Sequence, residues 1–154
     1  MRGALLDIWR ERIPGARFLD LFAGSGSVGL EALSRGALEA VFVESGREPQ
    51  RALERNLKLV APGAARLLRG ALPEALGTLG AAGERFDLVF ADPPYAWTVT
   101  EPFLLATALV LGSGGELALE HSRRCAPPER GGGLIRREVR RYGETALTFY
   151  VREP

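Results

Sequence analysis

The chain has 154 residues, a length that suits one domain, and its 46% hydrophobic and 25% charged content is that of a folded globule rather than of a disordered or fibrous chain. Its apolar runs are too short to cross a bilayer, and Asp7 and Arg10 interrupt the first of them, so no secretory leader is read and a cytoplasmic protein is expected. Twenty basic residues against nineteen acidic leave a net charge of +1, which by itself calls for no polyanionic partner.

Residues 2–13 carry Leu5, Ile8 and Trp9 at helical spacing, and Pro14-Gly15 ends that segment. An apolar run at 18–22 with Asp20 inside it predicts a strand, followed by Gly24-Ser25-Gly26 and a helix over 27–35 that Gly36 closes. Residues 40–43 predict a buried strand ending in Glu44, and Leu53, Leu57 and Val60 a helix with Pro49 near its first turn. A weak strand at 65–68 and a short helix at 73–79 precede a strong strand at 86–91. Asp92-Pro93-Pro94-Tyr95 cannot continue as helix, because each proline pushes its predecessor into extended backbone. A helix at 103–111, a strand at 115–120 and a hairpin of 134–142 with 145–151 around Gly143-Glu144 complete the chain. Such alternation demands a mostly parallel sheet with helices on both faces and ligands at the carboxyl ends of its strands, where Asp20, Gly24, Glu44 and Asp92 fall.

Gly24-Ser25-Gly26-Ser27-Val28-Gly29 satisfies G-x-G-x-x-G between a strand and a helix, and Glu44 stands twenty residues after Gly24. Glycines there permit a tight turn and close backbone approach by a ligand, while the carboxylate can accept both hydroxyls of a ribose. These two signals fit a nicotinamide dinucleotide and S-adenosylmethionine alike. Asp20 favours the second: it would repel a pyrophosphate but pair with the ammonium of a methionine moiety, the bland alternative being a helix-capping aspartate. Asp92-Pro93-Pro94-Tyr95 adds the chemistry. An exocyclic amine of a nucleobase must present its lone pair to an electrophilic methyl, and Asp92 with the Pro93 carbonyl can accept its two hydrogens. Two successive prolines, Pro93 and Pro94, stiffen that corner, and Tyr95 offers a face on which an extruded base can stack. The single Cys125 and single His121 exclude a disulfide framework and a zinc site, so no metal is expected; His121 reads as a strand-end residue and Cys125 as no nucleophile. Between 121 and 141 seven arginines (123, 124, 130, 136, 137, 140, 141) face two glutamates (129, 138), which reads either as a solvated strand face or as a phosphate-contacting patch.

The stretch Phe18-Leu19-Asp20-Leu21-Phe22-Ala23-Gly24-Ser25-Gly26, its continuation Gly29-Leu30-Glu31-Ala32-Leu33-Ser34-Arg35-Gly36-Ala37, Val43-Glu44, Asp92-Pro93-Pro94-Tyr95 and Tyr142-Gly143-Glu144-Thr145 together resemble the RsmD-type bacterial methyltransferases that modify the exocyclic N2 of guanine 966 in 16S ribosomal RNA. The resemblance implies a single Rossmann-like class I methyltransferase domain, with a mostly parallel seven-stranded sheet and an antiparallel carboxyl-terminal hairpin. It also implies S-adenosylmethionine as donor, and 16S ribosomal RNA or the small ribosomal subunit as partner, with no membrane; a monomer is expected. Catalysis would fall to Asp92, Pro93, Pro94 and Tyr95. Cofactor binding would fall to Asp20, Phe22, Gly24, Ser25, Gly26 and Glu44, with Ala71 and Leu72 near the adenine. Two departures stand out. Members of the family begin with a basic segment ahead of the first helix, whereas Met1 starts almost at that helix, and the acidic residue that commonly follows the third strand is missing from Arg69-Gly70-Ala71-Leu72. The amine chemistry alone also fits an adenine-N6 methyltransferase on DNA or RNA, and the glycine loop alone a nicotinamide-dependent oxidoreductase or a nucleotide-binding module.

Overall fold

The structure is a computed structural model that describes residues 2–60 and 63–154; Met1, on which the expected loss of a basic leading segment turns, lies outside the described residues. The elements in chain order are α1 (Arg2–Ile8), β1 (Arg17–Leu21), α2 (Ser27–Ser34), β2 (Glu39–Glu44), α3 (Arg47–Leu57), β3 (Ala65–Arg69), α4 (Glu74–Ala81), β4 (Phe86–Ala91), α5 (Glu101–Val110), β5 (Leu111–Ser122), β6 (Arg130–Gly131), β7 (Leu134–Tyr142) and β8 (Thr145–Arg152). They form one sheet in the order β3-β2-β1-β4-β5-β8-β7-β6. The five strands from β3 to β5 run parallel, and the last three pair antiparallel. This is the expected Rossmann-like architecture, with two-residue β6 as an eighth strand beyond the seven expected.

Alternation along the strands sorts the core into two layers. Phe18, Phe42, Leu88, Phe90 and Ala118 pack with Leu5, Trp9, Ala32 and Leu53 under α1, α2 and α3. Leu19, Leu21, Val41, Val89 and Leu117 pack with Leu76, Phe103 and Leu104 under α4 and α5. Helix α1 ends at Ile8 rather than at 13, because the chain tightens there, with Arg10 N–H on the Asp7 carbonyl. Leu111 belongs to a strand and not to the preceding helix: it pairs with Phe86, and Gly112, Gly114 and Gly115 carry the irregularity before pairing resumes at Glu116. Glu116, 2% exposed, accepts from Trp9 Nε1 at 2.8 Å and Arg137 Nε at 2.7 Å, tying the first helical segment to β7.

The strand order reverses between β1 and β4, which is where an open parallel sheet leaves a crevice at its carboxyl edge. Register then determines who meets there. Leu21 pairs with Val43 on one side and Ala91 on the other, and Ala91 pairs with Leu119. The next residue on each strand, Glu44, Phe22, Asp92 and Glu120, therefore stands in one row along the lip of the sheet, with strands roughly 4.8 Å apart.

Candidate active site

The loop after β1 needs backbone that few side chains tolerate. Phe22, Gly24 and Gly26 have φ of 57°, 59° and 84°, a left-handed run that turns the chain from strand into α2. At Gly26 a Cβ would lie 2.3 Å from Leu53 Cδ1, and at Gly29 2.4 Å from Phe42 Cε1. These glycines thus let α2 sit close against the sheet.

Glu44 closes this loop from the side. One carboxylate oxygen accepts from Gly24 N–H at 2.7 Å and the other from Gly46 N–H at 2.8 Å, while Gln50 Nε2 donates to the Glu44 carbonyl at 2.8 Å. Each carboxylate oxygen has a second lone pair, so both can still receive a hydroxyl. Asn56 Nδ2 donates to the Ser25 carbonyl at 2.9 Å and steadies the turn from α3.

Asp20 takes a place different from that of Glu44. It is 2% exposed and lies beneath the glycine turn, where its Oδ2 accepts from Gly29 N–H at 3.0 Å in the first turn of α2. Burial pushes its carboxyl up to about 8; the Gly29 N–H pulls the other way, and the charges of Asp92 and Glu44 add to the rise. The helix-capping reading is thus what its contacts show, and Asp20 lies within electrostatic reach of Glu44 and Asp92.

A cleft of about 330 Å³ opens above the lip and is lined by Phe22, Val43, Glu44, Ser45, Gly70, Ala71, Leu72, Asp92, Pro94 and Trp97. Phe22, Glu44, Ala71, Leu72, Asp92 and Pro94 are thereby brought together, with Gly24 held to them through Glu44. Among the described residues, no arginine or lysine belongs to that lining. Trp97 was not anticipated; it meets Phe22 and Phe103 edge to face, both at 4.9 Å between centroids, and seats the loop on α5.

On the far side of Asp92-Pro93-Pro94-Tyr95 lie two more cavities. One of about 630 Å³ reaches from Pro93, Pro94 and Tyr95 to Glu120, His121 and Pro128. The other, about 640 Å³, runs from Asp92, Pro93 and Tyr95 to Glu120 and the β7–β8 turn at Glu144. Asp92 faces both the cleft and this second cavity, so the loop is the wall between two open volumes. Desolvation raises the Asp92 carboxyl, and among the described residues no donor engages it or the Pro93 carbonyl. The Tyr95 ring is 100% exposed.

Glu120 was not singled out from the sequence. It is partly buried, and burial followed by the Asp92 charge pushes it up to about 7. The sequence signal was present: an acid directly after an apolar strand, as at Glu44 and Asp92. His121 is the strand-end residue expected. Its Nδ1 faces the Ser122 carbonyl at 2.8 Å, so that nitrogen carries the proton and Nε2 accepts from Thr148 Oγ1 at 2.6 Å. Cys125 is free and exposed. No group of three or more His, Cys, Asp or Glu side chains able to hold a metal is found among the described residues. No described helix is long and apolar enough to cross a membrane.

The arginine-rich stretch divides. Arg137 serves Glu116, Arg140 pairs with Glu138 at 2.7 Å, Arg130 with Glu153 at 3.1 Å and Arg124 with Glu144 at 3.4 Å. Arg136 and Arg141 have no carboxylate partner among the described residues and are exposed.

Four likenesses to known proteins accompany this geometry. The family described as Conserved hypothetical protein 95 matches residues 1–151. A Bacillus subtilis protein named "Putative rRNA methyltransferase YlbH" is 34% identical over 139 residues, a match spanning 88% of this chain and 76% of that protein. Ribosomal RNA small subunit methyltransferase D of Escherichia coli K12 is 41% identical over 83 residues, 54% of this chain and 40% of that protein. Among solved structures, a conserved hypothetical protein of Streptococcus pyogenes superposes with a TM-score of 0.87 at 34% identity, over 99% of this chain and 96% of that one.

Proposed function

Because the chain belongs to the Conserved hypothetical protein 95 family, that of the RsmD-type methyltransferases, we propose that it moves a methyl group from S-adenosylmethionine to the exocyclic N2 of a guanine in 16S ribosomal RNA. The observation that carries this reading is the shared wall: Asp92 borders both a carboxylate-lined cleft and a second cavity large enough for a nucleobase. Charge selects the ligand of the cleft. Glu44 and Asp92 line it, and among the described residues no arginine or lysine lines it to balance them. A pyrophosphate would be repelled there, whereas a ligand bearing sulfonium and ammonium groups is attracted, which disfavours the dinucleotide alternative. When bound, S-adenosylmethionine supplies an electrophilic methyl on a positively charged sulfur that leaves neutral.

The chain's own part is orientation. Glu44 holds the glycine turn and keeps two lone pairs for ribose hydroxyls, while Phe22, Ala71 and Leu72 offer the apolar surface for an adenine. Asp92 and the Pro93 carbonyl accept the two hydrogens of the target amine, which leaves its lone pair pointing across the wall into the cleft. Desolvation makes Asp92 a better proton acceptor than an ordinary carboxylate, so it is placed to take the proton that the methylated amine must lose. Tyr95 gives the extruded base a stacking face, and Arg136 and Arg141 are free for phosphates.

The test is incubation with labelled S-adenosylmethionine and undermodified small subunits or 16S RNA, followed by mapping of the modified nucleoside. Label in N2-methylguanosine is expected, and Asp92→Ala should abolish it while calorimetry shows cofactor affinity little changed. Label in N6-methyladenosine, or undiminished transfer by the Asp92 variant, would overturn the reading.

A further inference from the structure

We propose that Glu120 selects guanine over adenine, by accepting the N1–H of the target base while Asp92 and the Pro93 carbonyl hold its exocyclic amine. This deepens the reading of the site given above and rests on it. Glu120 follows Leu119, which pairs with Ala91, the residue before Asp92; the two acids therefore leave neighbouring parallel strands at one level, roughly 4.8 Å apart. Both cavities beyond the Asp92-Pro93-Pro94-Tyr95 wall are lined by Glu120 together with Pro93 and Tyr95. A base stacked on Tyr95 with its amine at Asp92 thus has its adjoining ring edge toward Glu120.

Among the described residues the Glu120 carboxylate makes no hydrogen bond or ion pair, although the residue is partly buried. Among the described residues, the charged and titratable groups that line these cavities with it come from three elements: Asp92 and Tyr95 on the loop after β4, His121, Arg124 and Cys125 at the end of β5 and beyond, and Glu144 in the β7–β8 turn. Arg124 is turned to Glu144, and His121 is engaged by Thr148 and the Ser122 carbonyl. Burial and the Asp92 charge hold the Glu120 carboxyl at about 7, as expected of an acceptor short of a donor. A carboxylate only accepts. Guanine offers it a donor at N1 beside the donor at N2, so two neighbouring carboxylates match two neighbouring N–H groups. Adenine puts a lone pair at N1, and this would face the Glu120 carboxylate unpaired; a desolvated site that hydrogen-bonds one base penalises the base lacking that group.

The experiment uses the full chain, S-adenosylmethionine and small-subunit RNA carrying either guanine or 2,6-diaminopurine at the mapped target. The analogue keeps the N2 amine but has a lone pair at N1. The native protein should prefer guanine in kcat/KM by about 10–100-fold. Glu120→Gln, whose amide can donate to that lone pair, should lose about 10–100-fold on guanine and lower or invert the preference. Thermal melts and cofactor titrations of the variant confirm folding and loading. An unchanged ratio in the variant, or no preference in the native protein, overturns the role of Glu120 alone. Should the native protein leave guanine N2 unmethylated in natural RNA, the functional reading falls and takes this one with it.

Discussion

Replacing Asp20 by asparagine isolates a buried carboxyl whose ionisation the fold opposes. In the native state the carboxyl keeps its proton up to about pH 8, chiefly because it is buried, whereas in the unfolded chain it ionises near the ordinary value of 3.8. Between those two pH values the folded protein binds more protons than the unfolded one, so this group's contribution to stability is fully present below 3.8 and is lost as pH rises to about 8. Each pH unit in that window is worth about 1.4 kcal/mol when fully expressed; from pH 5 to 8, with relaxation around the charge, a loss of about 2–4 kcal/mol is expected. In a chain of this size that corresponds to roughly 5–15 °C in Tm. Asparagine keeps an oxygen for the Gly29 N–H but cannot ionise. Melting curves of both proteins at half-unit steps should therefore run closest together below about pH 4 and separate progressively toward pH 8, with the asparagine variant gaining in relative stability. Shifts of other groups, such as Glu120 and His121, are common to both proteins and cancel in the difference. Parallel curves would refute the reasoning. A cationic cofactor beside Asp20 should also bind more tightly as pH rises through 8 in the native protein and not in the variant.

Three further outcomes follow from particular contacts. Gly29→Ala drives a methyl to 2.4 Å from Phe42 Cε1 and 3.2 Å from Asp20 Oδ2, and should cost about 1–3 kcal/mol by denaturant titration even after alanine's helical advantage. Tyr95→Ala removes a fully exposed ring and should raise KM for RNA by about 5–100-fold in steady-state kinetics, leaving stability and cofactor affinity unchanged. Removing both Arg136 and Arg141 should flatten the slope of log affinity for RNA against log salt by about one per arginine in anisotropy titrations, whereas Arg140→Ala, already paired with Glu138, should change it less.

The parallel core was legible because its strands are short apolar runs bounded by glycine and proline, and the range 86–91 coincides with β4; in the antiparallel hairpin, 134–142 coincides with β7. What escaped reading depended on pairing. A helix over 103–111 and a strand from Gly115 leave Gly112-Ser113-Gly114 between them, yet Phe86 draws Leu111 into β5 ahead of that stretch. The strand β6 exists only because Arg130 and Gly131 find Ile135 and Leu134 across a turn. Of the site, the residues named at strand ends converge because neighbouring strands share a register, which no single stretch reveals. Asp20 shows the limit: its position at a strand end is visible in sequence, but whether it faces a ligand or the first turn of α2 depends on the side of the sheet it occupies. Glu120 was hidden for the same reason, since its meaning comes from Asp92, which is distant in sequence and adjacent in space.

Glu116 joins parts of the chain that are made far apart in time. Its two oxygens are met by Trp9, with Arg12 at 3.6 Å, near the beginning of the polypeptide and by Arg137 in the penultimate strand. Until both sides are in place the acid would be a desolvated charge in a closing core, so the opening segment has little reason to settle before the closing hairpin arrives. Hydrogen exchange should accordingly find these two distant stretches opening as one cooperative unit, leaving the central strands protected when both have come away.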